Sequence, residues 1–317
     1  MSMLLPQSRT MDFSEVPVID IGPLLEGVRM DATIEAIGAA CSNVGFLYVK
    51  NHGIAQPVID AMVLQMRRFF ALPESRKMES SMEKSTQFRG FLPMKSGGKK
   101  VAINHREGYI MREDRPLDPA YPLDGPNVWP PDMPAFRDAM MAYFKEAEHL
   151  SRCLLQGFSL ALGLPAGQLA GMFTHPTTQL KLNYYPAQDR PEKEDEIGIV
   201  AHADSGAFTI LWQDDVGGLE TVNGNGEWVV VPPIPGTFVI NIGDILQIWS
   251  NGRFSSTPHR VINRYGTDRF SVPLFVHPDP DTLVRPLIGA VAPDYVPFVS
   301  GEYQEGVYDR LYPRMEA

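Results

Sequence analysis

The 317-residue chain reads as a mixed α+β protein, a helical layer supporting an antiparallel β-core of about eight strands. Two observations carry this. As far as about residue 175, apolar residues recur mostly at helical spacing. After Thr178, short segments rich in Val, Ile, Phe and Trp alternate with turn clusters, the rhythm of an antiparallel sandwich or barrel. No helical pattern is read between those segments, which argues against a doubly wound parallel sheet.

The elements follow in order. "DATIEAIGAACSNVG" from Asp31 combines an N-cap aspartate, helical apolar spacing and a stop glycine at Gly45, and "GFLYVKN" after it reads as a strand. "QPVIDAMVLQMRRFFALPE" is a second helix, with Pro57 in its first turn and Pro73 near its end. The longest helix starts near Pro134, where Phe136, Met140, Phe144, Ala147, Leu154, Phe158 and Leu162 form one apolar stripe that reads as core. The strand candidates are "QLKLNYYP", "GIVAHAD", "FTILWQD", "EWVVVP", "TFVINI", "ILQIWSN", "HRVIN" and "RFSVPLFVHP", separated by turns such as "DVGG", "NGNG" and "RYGTD". The divisions are 1–130 for helices with a few strands, 131–177 for the long supporting helix, 178–280 for the β-core and 281–317 for a C-terminal segment packed on it, all in one compact unit.

Composition narrows the function. Hydrophobic content of 44% with 21% charged residues is ordinary for a soluble globular chain. No apolar run is long enough to cross a bilayer, and the apolar start broken at Pro6 is too short for a signal-peptide core, so no membrane partner is expected. A formal net charge of −10 argues against nucleic acid. Cys41 and Cys153 both fall in helical segments and read as thiols in a reducing cytoplasm. The local exception is the basic "MKSGGKKVAINHREGYIMREDR", residues 94–115, either a solvated loop or a cover over a pocket that favours an anionic substrate. The charged "RPEKEDE" from Arg190 reads as a solvated loop.

The chemistry centres on "GIVAHADSGAFTILWQDD". On an extended strand His202 and Asp204 point to one face. Alone, the pair is a weak signal. His259 in "STPHRVIN" supplies a third ligand from a distant strand, and two imidazoles with one carboxylate leave open positions that suit iron(II), although catalytic zinc takes the same set. No free glutamate or histidine base sits beside the motif, as a zinc hydrolase requires. "DRFSVPLF" then places Arg269 and Ser271 on one strand face, a guanidinium fork and a hydroxyl matched to a carboxylate; the bland alternative is a surface arginine beside a serine. In "LKLNYYP", Lys181, Asn183 and Tyr185 share one face, and Phe275 shares a face with Arg269, so Phe275, Phe208 and Lys181 are candidates for the substrate pocket.

With these residues in place, the chain resembles the iron(II)- and 2-oxoglutarate-dependent dioxygenases of the isopenicillin N synthase-like family. The resemblance runs along nearly the whole chain, through "VPVIDIGPLL", "GFLYVKNHGI", "FFALPESRKM" and "NVWP" and then "LNYYP", "AHADSGAFTILWQDDVGGLE", "VINIGDILQIWSNGRFSSTPHRVIN" and "DRFSVPLF". It implies a double-stranded β-helix (jelly-roll, cupin-like) core, with 1–130 as the family's N-terminal region and 178–280 as its catalytic core. It implies His202, Asp204 and His259 as iron ligands, Arg269 and Ser271 as the grip on the far carboxylate of 2-oxoglutarate, and Tyr185 and Asn183 as further contacts to that co-substrate. The implied cofactors are Fe(II), 2-oxoglutarate and O2, with ascorbate keeping the iron reduced. The implied reaction couples oxidative decarboxylation of 2-oxoglutarate to succinate and CO2 with hydroxylation, desaturation or cyclisation of a small organic metabolite. Halogenases of the wider superfamily keep the Asp204 position small, so Asp204 argues against halogenation. The stretch "AQDRPEKEDEIG" is slightly longer than is usual in the family. Two other readings stay open: an oxidase in which Arg269 and Ser271 bind the substrate's own carboxylate, and a catalytically silent binding module.

Overall fold

The computed structural model describes residues 9–10, 16–94, 105–188, 197–263 and 266–312. Two sheets face each other. The larger has eight strands in the order Val18–Asp20, Phe46–Lys50, Thr237–Ile242, Phe208–Gln213, Arg269–Val276, Gln179–Tyr185, Glu107–Met111 and Gly90–Leu92. The smaller runs Arg9–Thr10, Trp228–Val230, Leu219–Val222, His259–Val261 and Ile199–His202. Pairing is antiparallel except at one edge of each sheet, where the Val18 strand and the Arg9 strand add in parallel. Four strands of the larger sheet come from the first 130 residues, so that region and the β-core share one hydrogen-bonded layer.

Strand parity divides the apolar residues into two cores. Leu180, Leu182, Phe208, Ile210, Ile240, Val272 and Leu274 point outward from the larger sheet and pack under the helices. Those helices are Asp31–Asn43, Gln56–Phe70 and Pro134–Ala161, and they contribute Ile37, Met62, Phe69, Met140, Phe144 and Phe158. Phe46, Tyr48, Tyr185, Leu211 and Val239 point inward and meet Leu219, Val231 and Val261 between the sheets. The Met-bearing stripe of the long helix is core, as its spacing requires.

Several local readings change. Asp31 lies in the first turn of its helix rather than at the cap, which is Met30. There its charge still complements the positive end of the helix. "ILQIWSN" is not a strand: Asp244–Trp249 is a helix with Ile245, Leu246 and Trp249 buried. Its first amides are committed elsewhere, Asp244 N to the Asp204 carbonyl at 2.8 Å and Ile245 N to the Gly206 carbonyl at 3.0 Å, so they are lost to any ladder. Gly243 permits this approach, since a Cβ there would stand 2.3 Å from the Gly206 oxygen. Within the basic segment, Glu107–Met111 is a strand of the larger sheet, held by buried Tyr109, Ile110 and Met111. Residues 95–104 of that segment lie outside the described residues, as does "RPEKEDE".

One helical residue makes the fold pH-sensitive. Burial, reinforced by Glu113, raises the Glu148 carboxyl to about 7. The unfolded chain loses this proton first, so stability falls as pH rises from about 4.5 to about 7. Discounted for partial solvent screening, the effect is on the order of 1–2 kcal/mol. Glu148→Gln is expected to raise Tm by about 2–4 °C at pH 8 and to leave it unchanged below pH 4, read by calorimetry; an equal gain at both pH values removes the ionisation argument.

Candidate active site

Three side chains converge between the sheets. His202 ends the Ile199–His202 strand, and Asp204 lies in the loop beyond it rather than on the same strand. His259 opens the neighbouring strand and is the direct register partner of His202, which brings the imidazole centroids to 4.3 Å. Asp204 Oδ1 is 3.6 Å from His202 Nε2 and 3.8 Å from His259 Nε2. One ligand atom from each residue lies within 4.8 Å of the others, and no other such group exists among the described residues.

The surroundings fix which atoms face the centre. His202 Nδ1 donates to the Val200 carbonyl at 2.9 Å and His259 Nδ1 to the Thr257 carbonyl at 3.3 Å, leaving both Nε2 lone pairs free. Asp204 Oδ2 accepts from Thr209 Oγ1 at 2.5 Å and from Asn241 Nδ2 at 2.7 Å, so Oδ1 is the oxygen left over. Burial and the adjacent His259 lower His202 to about 4, which keeps its imidazole neutral at pH 7. Burial pushes the Asp204 carboxyl up, but both imidazoles and the two donors outweigh it and hold it below the usual carboxylate value. Two imidazole nitrogens and one carboxylate oxygen at this spacing fit a divalent first-row metal such as iron(II).

Beside this group, cross-strand register sets Arg269 against Tyr185 and Ser271 against Asn183. Arg269 is fully buried. Its Nε donates to the Gly217 carbonyl, its Nη2 to Gln213 Oε1 at 3.2 Å, and its guanidinium lies 4.8 Å from the Tyr185 ring centre. Asp214 is nearby, but its carboxylate binds the Phe270 and Val216 amides. Arg269 Nη1, Gln213 Nε2 and Tyr185 Oη are buried with no hydrogen-bond partner among the described residues. Such orphaned donors are costly unless a ligand supplies acceptors, and a carboxylate does so. Asn183 Nδ2 reaches Ser271 Oγ at 3.5 Å, and Arg106 Nη1 donates to Asn183 Oδ1 at 2.8 Å. Gly218, at φ +94°, keeps the wall thin, since a Cβ there would stand 2.5 Å from the Ile262 oxygen and 3.7 Å from Arg269 Cδ.

The pocket candidates separate. Phe275 is half-buried on the face that carries Arg269. Lys181 points inward and is buried, with its Nζ 3.0 Å from the Tyr312 hydroxyl. Phe208 is not in the pocket. Thr209 faces Asp204, so Phe208 must point the other way, where it packs edge-on against Phe158 of the long helix. Thr209, Asn241, Gln213 and Arg106 escaped the sequence reading. Polar residues at the inward parity of apolar strands, Thr209 and Gln213 in "FTILWQ" and Asn241 in "TFVINI", are the signal that could have found the first three.

Comparison with known proteins agrees with this geometry. A family model described as the 2OG-Fe(II) oxygenase superfamily matches residues 176–278, and one described as the N-terminal region of a non-haem dioxygenase in morphine synthesis matches 16–132. The chain is 36% identical to a homoarginine-6-hydroxylase of Glycine max, over 87% of this chain and 89% of that one. It is 30% identical to the 2-oxoglutarate-Fe(II) type oxidoreductase hxnY of Emericella nidulans, over 95% and 91%. Among solved structures, a full-length Neurospora crassa protein in complex with alpha-KG superposes with a TM-score of 0.81 at 26% identity, covering 93% of this chain and 95% of that one. A 2OG-Fe(II) oxygenase family protein of Caulobacter crescentus gives 0.82 at 25% identity, covering 93% and 99%. The chain therefore belongs to the 2-oxoglutarate- and iron(II)-dependent oxygenases and has their double-stranded β-helix core. It is an oxidoreductase that uses Fe(II), 2-oxoglutarate and O2.

Proposed function

We propose that this oxygenase hydroxylates a small organic metabolite, with His202, Asp204 and His259 holding the iron and with Arg269, Ser271, Tyr185 and Asn183 holding 2-oxoglutarate. The observation that carries the reading is the buried guanidinium with a free Nη1, flanked by the unpartnered Gln213 amide and Tyr185 hydroxyl, beside the His–Asp–His group. A diacid co-substrate satisfies both ends of that arrangement at once. The relatives include hydroxylases, and one superposed Neurospora crassa structure carries alpha-KG and another carries alpha-KG with thymine, which supports a small-molecule substrate.

Bound iron and 2-oxoglutarate supply the activation of O2, with loss of CO2 and formation of succinate, that drives oxygen insertion into a C–H bond. The chain's own residues do the rest. The Val200 and Thr257 carbonyls hold the two imidazoles in one tautomer. Thr209 and Asn241 fix the Asp204 carboxylate. Arg269 orients the co-substrate through its far carboxylate, and Tyr185 shields that ion pair from water. Phe275 lines the side open to the substrate.

Anaerobic addition of Fe(II) and 2-oxoglutarate to the protein is expected to produce the weak visible charge-transfer band of a chelated keto acid. Iron binding with no band would remove the co-substrate assignment; no iron binding would remove the metal assignment.

A further inference from the structure

Away from the Arg269 end, the inner face of the larger sheet carries cations that no carboxylate balances among the described residues. Lys181 is 5% exposed, and its only polar contact among those residues is the Tyr312 hydroxyl, just past the C-terminal helix Ser300–Leu311. Gly108 on the neighbouring strand makes room for it, since a Cβ there would stand 3.2 Å from Lys181 Cε. Arg106, on the same inner face, bonds the neutral Asn183 amide. Arg112 is also buried. Its partners are the Gln87 and Leu123 carbonyls and Gln179 Oε1, its Nε has none, and it lies 4.8 Å from the Tyr308 ring centre. The nearby acids are engaged elsewhere: Glu107 with Lys77, and Glu113 and Asp124 with Arg115. Burial, aided by Arg106, pushes the Lys181 ammonium well below its ordinary range.

Buried positive charge without a counter-ion is costly, and a fold retains it where an anion completes the site. That anion is not 2-oxoglutarate. Lys181 and Tyr185 are four residues apart on one strand, about 13 Å at strand rise. In the oxygenase reading both carboxylates of 2-oxoglutarate are already committed, one to Arg269 and the other at the His–Asp–His group, so neither is left for Lys181.

We propose that Lys181 and Arg106, backed by Arg112, form a second anion subsite that takes a carboxylate of the primary substrate, for which the Tyr312 hydroxyl stands in as a neutral partner. The substrate is then an organic acid whose carboxylate lies on the Lys181 side, with its apolar body against Phe275. This rests on the oxygenase reading above and specifies its substrate class.

The test uses the full-length protein with Fe(II) and 2-oxoglutarate, without O2. The charge-transfer band is recorded first; if it fails to form, the co-substrate assignment falls whatever Lys181 does. With the band present, straight-chain carboxylic acids of two to ten carbons and L-homoarginine are titrated beside their primary amides. Binding is read from the change in the band and, on metal-free protein, from Tm. The expected result is acid binding at least tenfold tighter than amide for the best-bound pair, a preference kept by Lys181→Arg and reduced to under twofold by Lys181→Met. No acid preference anywhere in the panel overturns the proposal, as does a preference that survives Lys181→Met. A Lys181→Met protein that loses 2-oxoglutarate by the same factor assigns the lysine to the co-substrate and also overturns it. If Lys181→Met does not fold, the acid–amide comparison on the unaltered protein decides.

Discussion

Asp204→Ala is expected to lower iron affinity by at least a hundredfold and to abolish measurable turnover. The carboxylate is the only anionic member of the His–Asp–His group, and it lies within 4 Å of both Nε2 atoms. Its loss removes the charge that compensates a divalent cation in a buried site. It also strands two donors, Thr209 Oγ1 and Asn241 Nδ2, which now share Oδ2. A buried donor left without an acceptor costs about 1–3 kcal/mol, so the apoprotein should lose stability as well. Asp204→Asn separates the two effects: it keeps the shape and an acceptor for Thr209, yet lacks the charge. Iron stoichiometry after anaerobic loading and the Tm of the apoprotein read the two separately. Full iron occupancy with normal succinate formation in Asp204→Ala would remove this residue from the metal site.

Arg269→Ala should raise the KM for 2-oxoglutarate by about 30- to 5,000-fold and leave iron affinity within threefold. The basis is the value of a buried charge-assisted pair, whose truncation costs about 2–5 kcal/mol. The nearby Asp214 carboxylate is committed to the Phe270 and Val216 amides, and Arg269 Nη1 has no hydrogen-bond partner among the described residues. Arg269→Lys keeps the charge but loses the planar fork and should fall between the two proteins. Titration of the charge-transfer band gives the co-substrate affinity, and metal analysis gives the iron. A loss of iron as large as the loss of 2-oxoglutarate would mean that Arg269 holds the fold of the site rather than the diacid.

These residues could be named from the sequence because their patterns are local. His202 and Asp204 sit two apart, Arg269 and Ser271 sit two apart on an apolar strand, and both patterns carry chemistry that a surface strand has no use for. The details that set their function were less readable. That His202 and His259 are register partners, and that Arg269 stands against Tyr185, depends on pairing between segments more than fifty residues apart. Nearness to the metal motif suggests Phe208 for the pocket, whereas parity from Thr209 sends it into the helical core. "ILQIWSN" carries the composition of a strand, but amides bound to the Asp204 loop turn it into a helix. Lys181 was visible as a polar residue on an inward face. That no carboxylate among the described residues balances it was not, because that depends on where distant acids have gone.

By itself the sequence determined the two-layer architecture, the polarity of each strand face and the chemical types available at the centre, since apolar periodicity and short-range spacing are properties of neighbouring residues. Only the tertiary structure decided which oxygen of Asp204 is free, which nitrogens of the imidazoles face inward and which cations remain unbalanced. Those are contacts between distant segments, and hydrogen-bond supply and burial are settled only when the whole chain has closed around them.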